Sequence, residues 1–197
     1  MRHSVFALML TALSLSLYPT FALAQHAGAG GAPAPRTDAS NSNSRPDLNQ
    51  PQVDRVDDRR FLQNAAMSGL ADVALGKLAV EKGASDAVKQ FGQRIIDDHT
   101  KANDELKQLA AAGNVQVSDA LDAKHQSRVD KLAKLSGAEF DKVYIKDQVK
   151  SQHQSVKDFE LEAQYGSVAE VKNFASKALP TLKQHLELAT DLNKSKK

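Results

Sequence analysis

From Asp57 onward, apolar positions recur every three or four residues, the period of an α-helix with one buried stripe. Phe61, Ala65, Ser68, Asp72, Leu75 and Ala79 mark the first stripe. Asp57 and Asp58 place acid at its N-terminus, where the helix dipole favours it, and Gly83 stops it. Ser85 is positioned to cap a second helix. There Val88, Gly92, Ile95, His99, Ala102, Leu106 and Leu109 keep the rhythm until Gly113. Another long helix is expected from Ser136 to Tyr165, with Phe140, Tyr144, Val149, Val156 and Phe159 toward the core. Val171, Ala175, Ala178, Leu182, His185, Ala189 and Leu192 mark the last. Ser136-Gly137-Ala138-Glu139 and Ser167-Val168-Ala169-Glu170 read as capping boxes for these two helices. Pro180 lacks a backbone donor and predicts a kink in the last one.

Tight turns at Gly83 and Gly166 make two helical hairpins. The connection from Asn114 to Gly137 is far longer than the roughly 2–8 residues that join neighbours in a simple bundle. It has room for a short helix through Leu121, Val129 and Leu132. The expected fold is therefore all-α: a ferritin-like four-helix bundle with a long crossover, containing a short helix, between the second and third core helices.

Residues 56–193 form this domain, followed by a basic tail at 194–197. Met1-Arg2-His3, a mostly apolar run to Ala22 and an A-x-A pattern ending at Ala24 give residues 1–24 the form of a secretory signal peptide. Cleavage after Ala24 predicts a periplasmic or secreted protein with no membrane span in the mature chain. Residues 25–55 are rich in Gly, Ala, Pro, Ser and Asn and read as a disordered linker. The chain has no cysteine, which excludes a disulfide framework, a lipoprotein anchor and a thiolate metal site. Lys and Arg number 26 against 24 Asp and Glu, and this balance argues against a nucleic-acid partner.

Polar residues on the core stripes carry the chemical interest. Asp72, His99 and His185 face inward by phase, and His153, between Val149 and Val156, is expected to do the same. Helical rise brings all four to the middle of the bundle, within about 10 Å of one another along its axis. Imidazole and carboxylate ligate transition metals, so Fe, Mn, Zn or Cu is the cofactor this set would hold. The competing reading gives each histidine a hydrogen-bond partner, with Asp97, Asp98, Asn103 and Tyr144 as candidates. Di-iron bundles place Glu three residues before His. Ile96, Lys150 and Leu182 occupy those positions here, so no di-iron signature accompanies a core histidine. No nucleophile elbow, phosphate loop or zinc-protease motif occurs.

Several stretches together resemble the exported bacterial family known as domain of unknown function 4142. They are Phe61-Leu62-Gln63-Asn64-Ala65-Ala66, Leu75-Gly76-Lys77-Leu78-Ala79, Asp98-His99-Thr100-Lys101-Ala102-Asn103, Phe140-Asp141-Lys142-Val143-Tyr144, His153 and Leu179-Pro180-Thr181-Leu182-Lys183-Gln184-His185-Leu186. The resemblance spans Phe61 to Leu192 and implies a ferritin-like bundle in the cell envelope, with no established activity to inherit. The expected function is a non-enzymatic binding or stress-related bundle. The alternative is a metal-binding ferritin-like protein, redox-active or not, using Asp72, His99, His153 and His185. The surface pattern names neither an envelope partner nor an oligomeric state.

Overall fold

Asp57 accepts a hydrogen bond from the Arg60 amide and opens α1, Asp58–Lys82. The computed structural model describes residues 57–195, so the expected signal peptide and linker lie outside the described residues. Gly83 ends α1, and the Ser85 hydroxyl caps α2, Asp86–Ala112, by accepting from the Val88 amide. The crossover carries α3, Ala123–Ala133, capped by Asp122. The second hairpin is α4, Gly137–Tyr165, and α5, Ala169–Ser195. Pro180 lies inside α5 on its exposed side.

α1 packs on α2 and α4 on α5, while α1 against α4 and α2 against α5 join the hairpins. The end of α1 meets the start of α4 through a bridge between Gly83 and Gly137. α2 and α4 therefore start at the same end, run parallel and require the long crossover. α3 uses that crossover to lie against α1 and touch α4. The fold is the four-helix bundle the hydrophobic pattern predicts.

Of the two expected capping boxes, the first makes no side-chain cap bond and the turn of the second is served by a longer-range contact. Ser136 precedes α4 without a side-chain cap bond. At the same corner, buried Asp141 accepts from the Ala84 and Ser85 amides and the Ser85 hydroxyl, at 2.9, 3.1 and 2.8 Å. The amides of Ser167 and Val168, ahead of α5, donate to Asp58 on α1 at 2.9 and 3.1 Å. Before α5 a carboxylate from another helix thus takes the place of a local cap, whereas at the Gly83 corner Asp141 adds to the local Ser85 cap of α2.

The apolar core comes in two parts. One gathers Leu75, Ala79, Val88, Phe91, Ile95, Phe140, Tyr144 and Ile145 toward the Gly83 end. The other gathers Phe61, Leu62, Leu106, Ala110, Val171 and Phe174 toward the opposite end. Between them along the helices lie Asp72, His99, Asn103, Gln148, Gln152 and His185, all buried. Gly76 and Gly92 let α1 and α2 approach closely: a Cβ on Gly76 would stand 2.8 Å from the Gly92 carbonyl oxygen.

Candidate functional site

Asp72 is fully buried on α1 and would be costly there without compensation. α3 and α4 supply it. Arg128 reaches from α3, its terminal nitrogen 3.5 Å from Asp72 Oδ1. Gln148 and Ser151 of α4 donate to the same oxygen at 3.4 Å each, and Gln152 donates to Oδ2 at 3.4 Å. Arg128 is itself fixed by Asp147, through contacts of 2.9 and 2.8 Å from Nε and 2.6 Å from the terminal nitrogen. Burial works against the guanidinium charge, but the hydrogen bond it donates to Asp147 and the charges of Asp72 and Asp147 outweigh it and raise its pKa. The bonds to Asp72 are long, so its cage is loose compared with the Arg128–Asp147 pair.

The two inward histidines meet in the same layer. His99 on α2 and His185 on α5 have ring centroids 5.5 Å apart. His185 is fully buried, and its Nε2 lies 2.8 Å from Asp98 Oδ2. A carboxylate only accepts, so the shared hydrogen sits on Nε2. Burial, with a smaller push from His99, lowers the His185 pKa against the pull of Asp98. The ring is then neutral and its Nδ1 is a bare lone pair, buried with no hydrogen-bond partner. His99 Nε2 is also buried without one and lies 3.8 Å from Asp72 Oδ2, beyond hydrogen-bond reach. Tyr144 Oη and Gln152 Oε1 are two further buried polar atoms without partners. Buried unpaired atoms are few in native proteins, and their concentration here points to a layer built for more than packing.

A pocket of about 190 Å³ opens onto this layer. His99, His185 and Asn103 form its polar wall, Leu106, Phe159, Phe174 and Leu182 its apolar wall, and Lys101, Glu105 and Lys177 also line it. Asn103 is held by the absence of a side chain opposite: a Cβ on Gly69 would fall 2.1 Å from its Oδ1. The Phe159 and Phe174 rings lie 6.0 Å apart, so α4 and α5 together supply an aromatic surface.

Of the four residues expected to converge, Asp72, His99 and His185 do so and His153 does not. His153 is exposed. The α4 stripe runs through Phe140, Tyr144, Gln148, Gln152 and Val156, all buried at intervals of four. His153 follows Gln152 by one residue and is turned about 100° away from it. Val149 and Val156 suggested a different phase because the buried glutamines read as surface residues. Arg128 was missed for a related reason, since nothing local in a charged crossover helix marks one arginine as a counter-ion. Among the described residues no three His, Cys, Asp or Glu side chains form a group that could hold a metal ion.

The model of the family "Domain of unknown function (DUF4142)" matches residues 42–192. The chain belongs to this family. The DUF4142 description assigns no activity, so chemistry has to be argued from the site. Comparison with curated proteins finds no match. Among solved structures, the DUF4142 chain is similar to a Streptomyces coelicolor protein described as a secreted protein of the DUF305 type. The TM-score is 0.61 at 14% identity, covering 71% of this chain and 91% of the other. At that identity the likeness shows the fold alone. No helix among the described residues is long and apolar enough to cross a membrane.

Proposed function

We propose that this DUF4142 chain is an exported, non-catalytic binding protein whose ligand occupies the pocket between α1, α2, α4 and α5. One observation carries this reading: the pocket joins a polar wall of His99, His185 and Asn103 to an apolar wall of Phe159, Phe174, Leu106 and Leu182. Ligand sites characteristically combine a mostly apolar lining with a few fixed polar groups. Export is supported by the leader-like sequence of residues 1–24 and by the description of the DUF305 protein as secreted. N-terminal sequencing of the exported protein checks this part, and a start at Gln25 is expected.

The binding test uses thermal melts of the mature protein against a panel of small metabolites. Ala178 lines the pocket and is half-buried, so Ala178→Trp fills the space. A ligand that raises the wild-type melting temperature and fails to raise that of A178W supports the reading. No stabilising compound in the panel, or turnover of a bound compound, overturns it.

The 3.8 Å gap between His99 Nε2 and Asp72 Oδ2 favours a second reading, a bound transition metal. The gap is too long for a hydrogen bond, yet shorter than two ligand bonds of about 2.0–2.2 Å laid end to end. His99 and Asp72 would be its protein ligands, and exposed His153 would take no part. Elemental analysis of the native protein tests it: stoichiometric metal lost in both His99→Ala and Asp72→Asn supports a site, and metal-free wild type rules it out.

A further inference from the structure

The polar wall of the pocket contains one side chain that is buried, unpartnered and still open to a ligand. Asn103 keeps only 8% of its surface, and among the described residues its carboxamide makes no hydrogen bond. Its oxygen and nitrogen both retain accessible surface, unlike His99 Nε2 and Tyr144 Oη. The carboxamide fills the space that a Cβ on Gly69 would take, so α1 backs it and its open edge meets the pocket that both residues line. A carboxamide presents a donor and an acceptor side by side. Both are satisfied together by a group with the reverse pattern, such as another carboxamide. A hydrocarbon would displace water and leave both without a partner, a loss on the order of tenfold or more in affinity. A carboxylate only accepts and would bring a lone pair against Asn103 Oδ1. Lys101 at the rim could attract such an anion. It is exposed, however, and stands two residues from Asn103, about 200° around α2, so its charge lies away from the carboxamide. Lys101 and Lys177 are also matched in the lining by Asp98 and Glu105, and these four charges cancel. An uncharged ligand fits that balance. The volume of about 190 Å³ exceeds the roughly 150 Å³ cavity that takes a benzene ring, which leaves room for one ring and a small head group. Phe159 and Phe174 supply the aromatic face for that ring.

We propose that the pocket binds a small uncharged aromatic amide, its ring lying against Phe159 and Phe174 and its amide group paired edge to edge with the carboxamide of Asn103. This rests on the pocket-binding reading above and names the ligand class.

NMR titration of the mature protein with benzamide, benzoate, toluene and acetamide tests it. Benzamide is expected to shift the side-chain amide resonances of Asn103 and to bind at least about tenfold more tightly than toluene, which has the ring and lacks the head group. It should also bind more tightly than benzoate, whose head group has the same shape and only accepts, and than acetamide, which lacks the ring. A178W should bind none of the four. Asn103→Leu should erase the preference for benzamide over toluene; if that variant does not fold, the Asn103 resonances, A178W and the probe series still decide. Benzoate, toluene or acetamide bound as tightly as benzamide, benzamide that leaves the Asn103 amide unmoved, or benzamide binding that survives A178W each overturns the proposal. Toluene or benzoate bound in an A178W-sensitive way without benzamide removes the aromatic amide and keeps a pocket that binds. Absence of any A178W-sensitive probe counts against both.

Discussion

Glu162 stands on α4 at the end of the bundle opposite Gly83, fully buried, and neither of its carboxyl oxygens has a hydrogen-bond partner among protein donors. Its charged surroundings are Asp57 and Asp58 at the start of α1 and Lys172 on α5. It has little room to move, because its Oε1 lies 2.2 Å from where a Cβ on Gly166 would sit. Burial, then the hydrogen bond and charge of Asp58, pushes its pKa from 4.5 up to about 8. At neutral pH the folded protein thus holds a protonated Glu162 beside an ionised Asp58. The Asp58 pKa is lowered, against its own burial, by the amides of Val168 and Ser167 and by Glu162. In the unfolded chain Glu162 ionises through 4.5, whereas in the folded chain it keeps its proton until about 8. Over that window the unfolded state binds fewer protons, so this group makes stability fall as pH rises and stops contributing a slope above about 8.

At about 1.4 kcal/mol per pKa unit, the penalty relative to acid pH is about 3 kcal/mol at pH 7 and about 5 kcal/mol at its plateau. Glu162→Gln keeps the shape and a donor for Asp58 while removing the proton equilibrium. E162Q should therefore match the wild type near pH 4 and become more stable than it by about 3 kcal/mol at pH 7. Urea denaturation of both proteins from pH 4 to 9 measures this difference directly. His185, whose folded pKa is lowered, adds stability as pH rises toward its unfolded 6.5, but it does so in both proteins and cancels. Parallel stability curves for wild type and E162Q across pH 4–8 would show that Glu162 titrates like an exposed carboxylate, and would refute the reasoning.

Two further perturbations probe the interior. Arg128→Met should destabilise by about 3–5 kcal/mol, because it leaves buried Asp72 with neutral donors alone. Adding Asp72→Asn should recover much of that loss in a double-mutant denaturation cycle, and additive losses would show that the two charges are not coupled. Asp141→Ala should lower stability by about 2–3 kcal/mol by removing the acceptor that ties the α1–α2 turn to α4. A melting temperature unchanged by D141A would place the strength of that corner elsewhere.

The helices were legible because burial on one side of a helix leaves a period in the sequence. Phe61, Leu75, Ile95, Leu106, Phe140 and Leu182 all sit in the core where that period placed them. The crossover was legible from length. The polar centre was legible only in part. Asp72, His99 and His185 stand out as polar interruptions of apolar stripes, and the structure buries all three. Gln148, Gln152, Asp141 and Glu162 are just as buried, but on α4 they are frequent enough to hide the stripe they belong to. Hence the phase of α4 was misjudged around His153. The caps failed for the opposite reason. A Ser followed by Glu three residues later is a local signal, and the turn before α5 is served instead by Asp58, distant in sequence.

That pattern bears on why the crossover carries a helix at all. A plain loop could connect α2 to α4 without reaching the centre of the bundle. α3 instead brings Arg128 to the edge of Asp72, while Asp147 on α4 holds the guanidinium in place. Asp72 in turn faces His99, which shares a wall of the pocket with His185. Removing the charge on Arg128 therefore acts at two levels: it exposes the cost of a buried carboxylate, and it releases that carboxylate beside the His99 wall of the pocket. R128M should consequently disturb the surroundings of the His99 and His185 rings as well as lower stability. Proton NMR of the imidazole resonances at one pH reads this out, and ring resonances of His99 and His185 unmoved by R128M would mean that Arg128 holds the crossover in place without shaping the pocket.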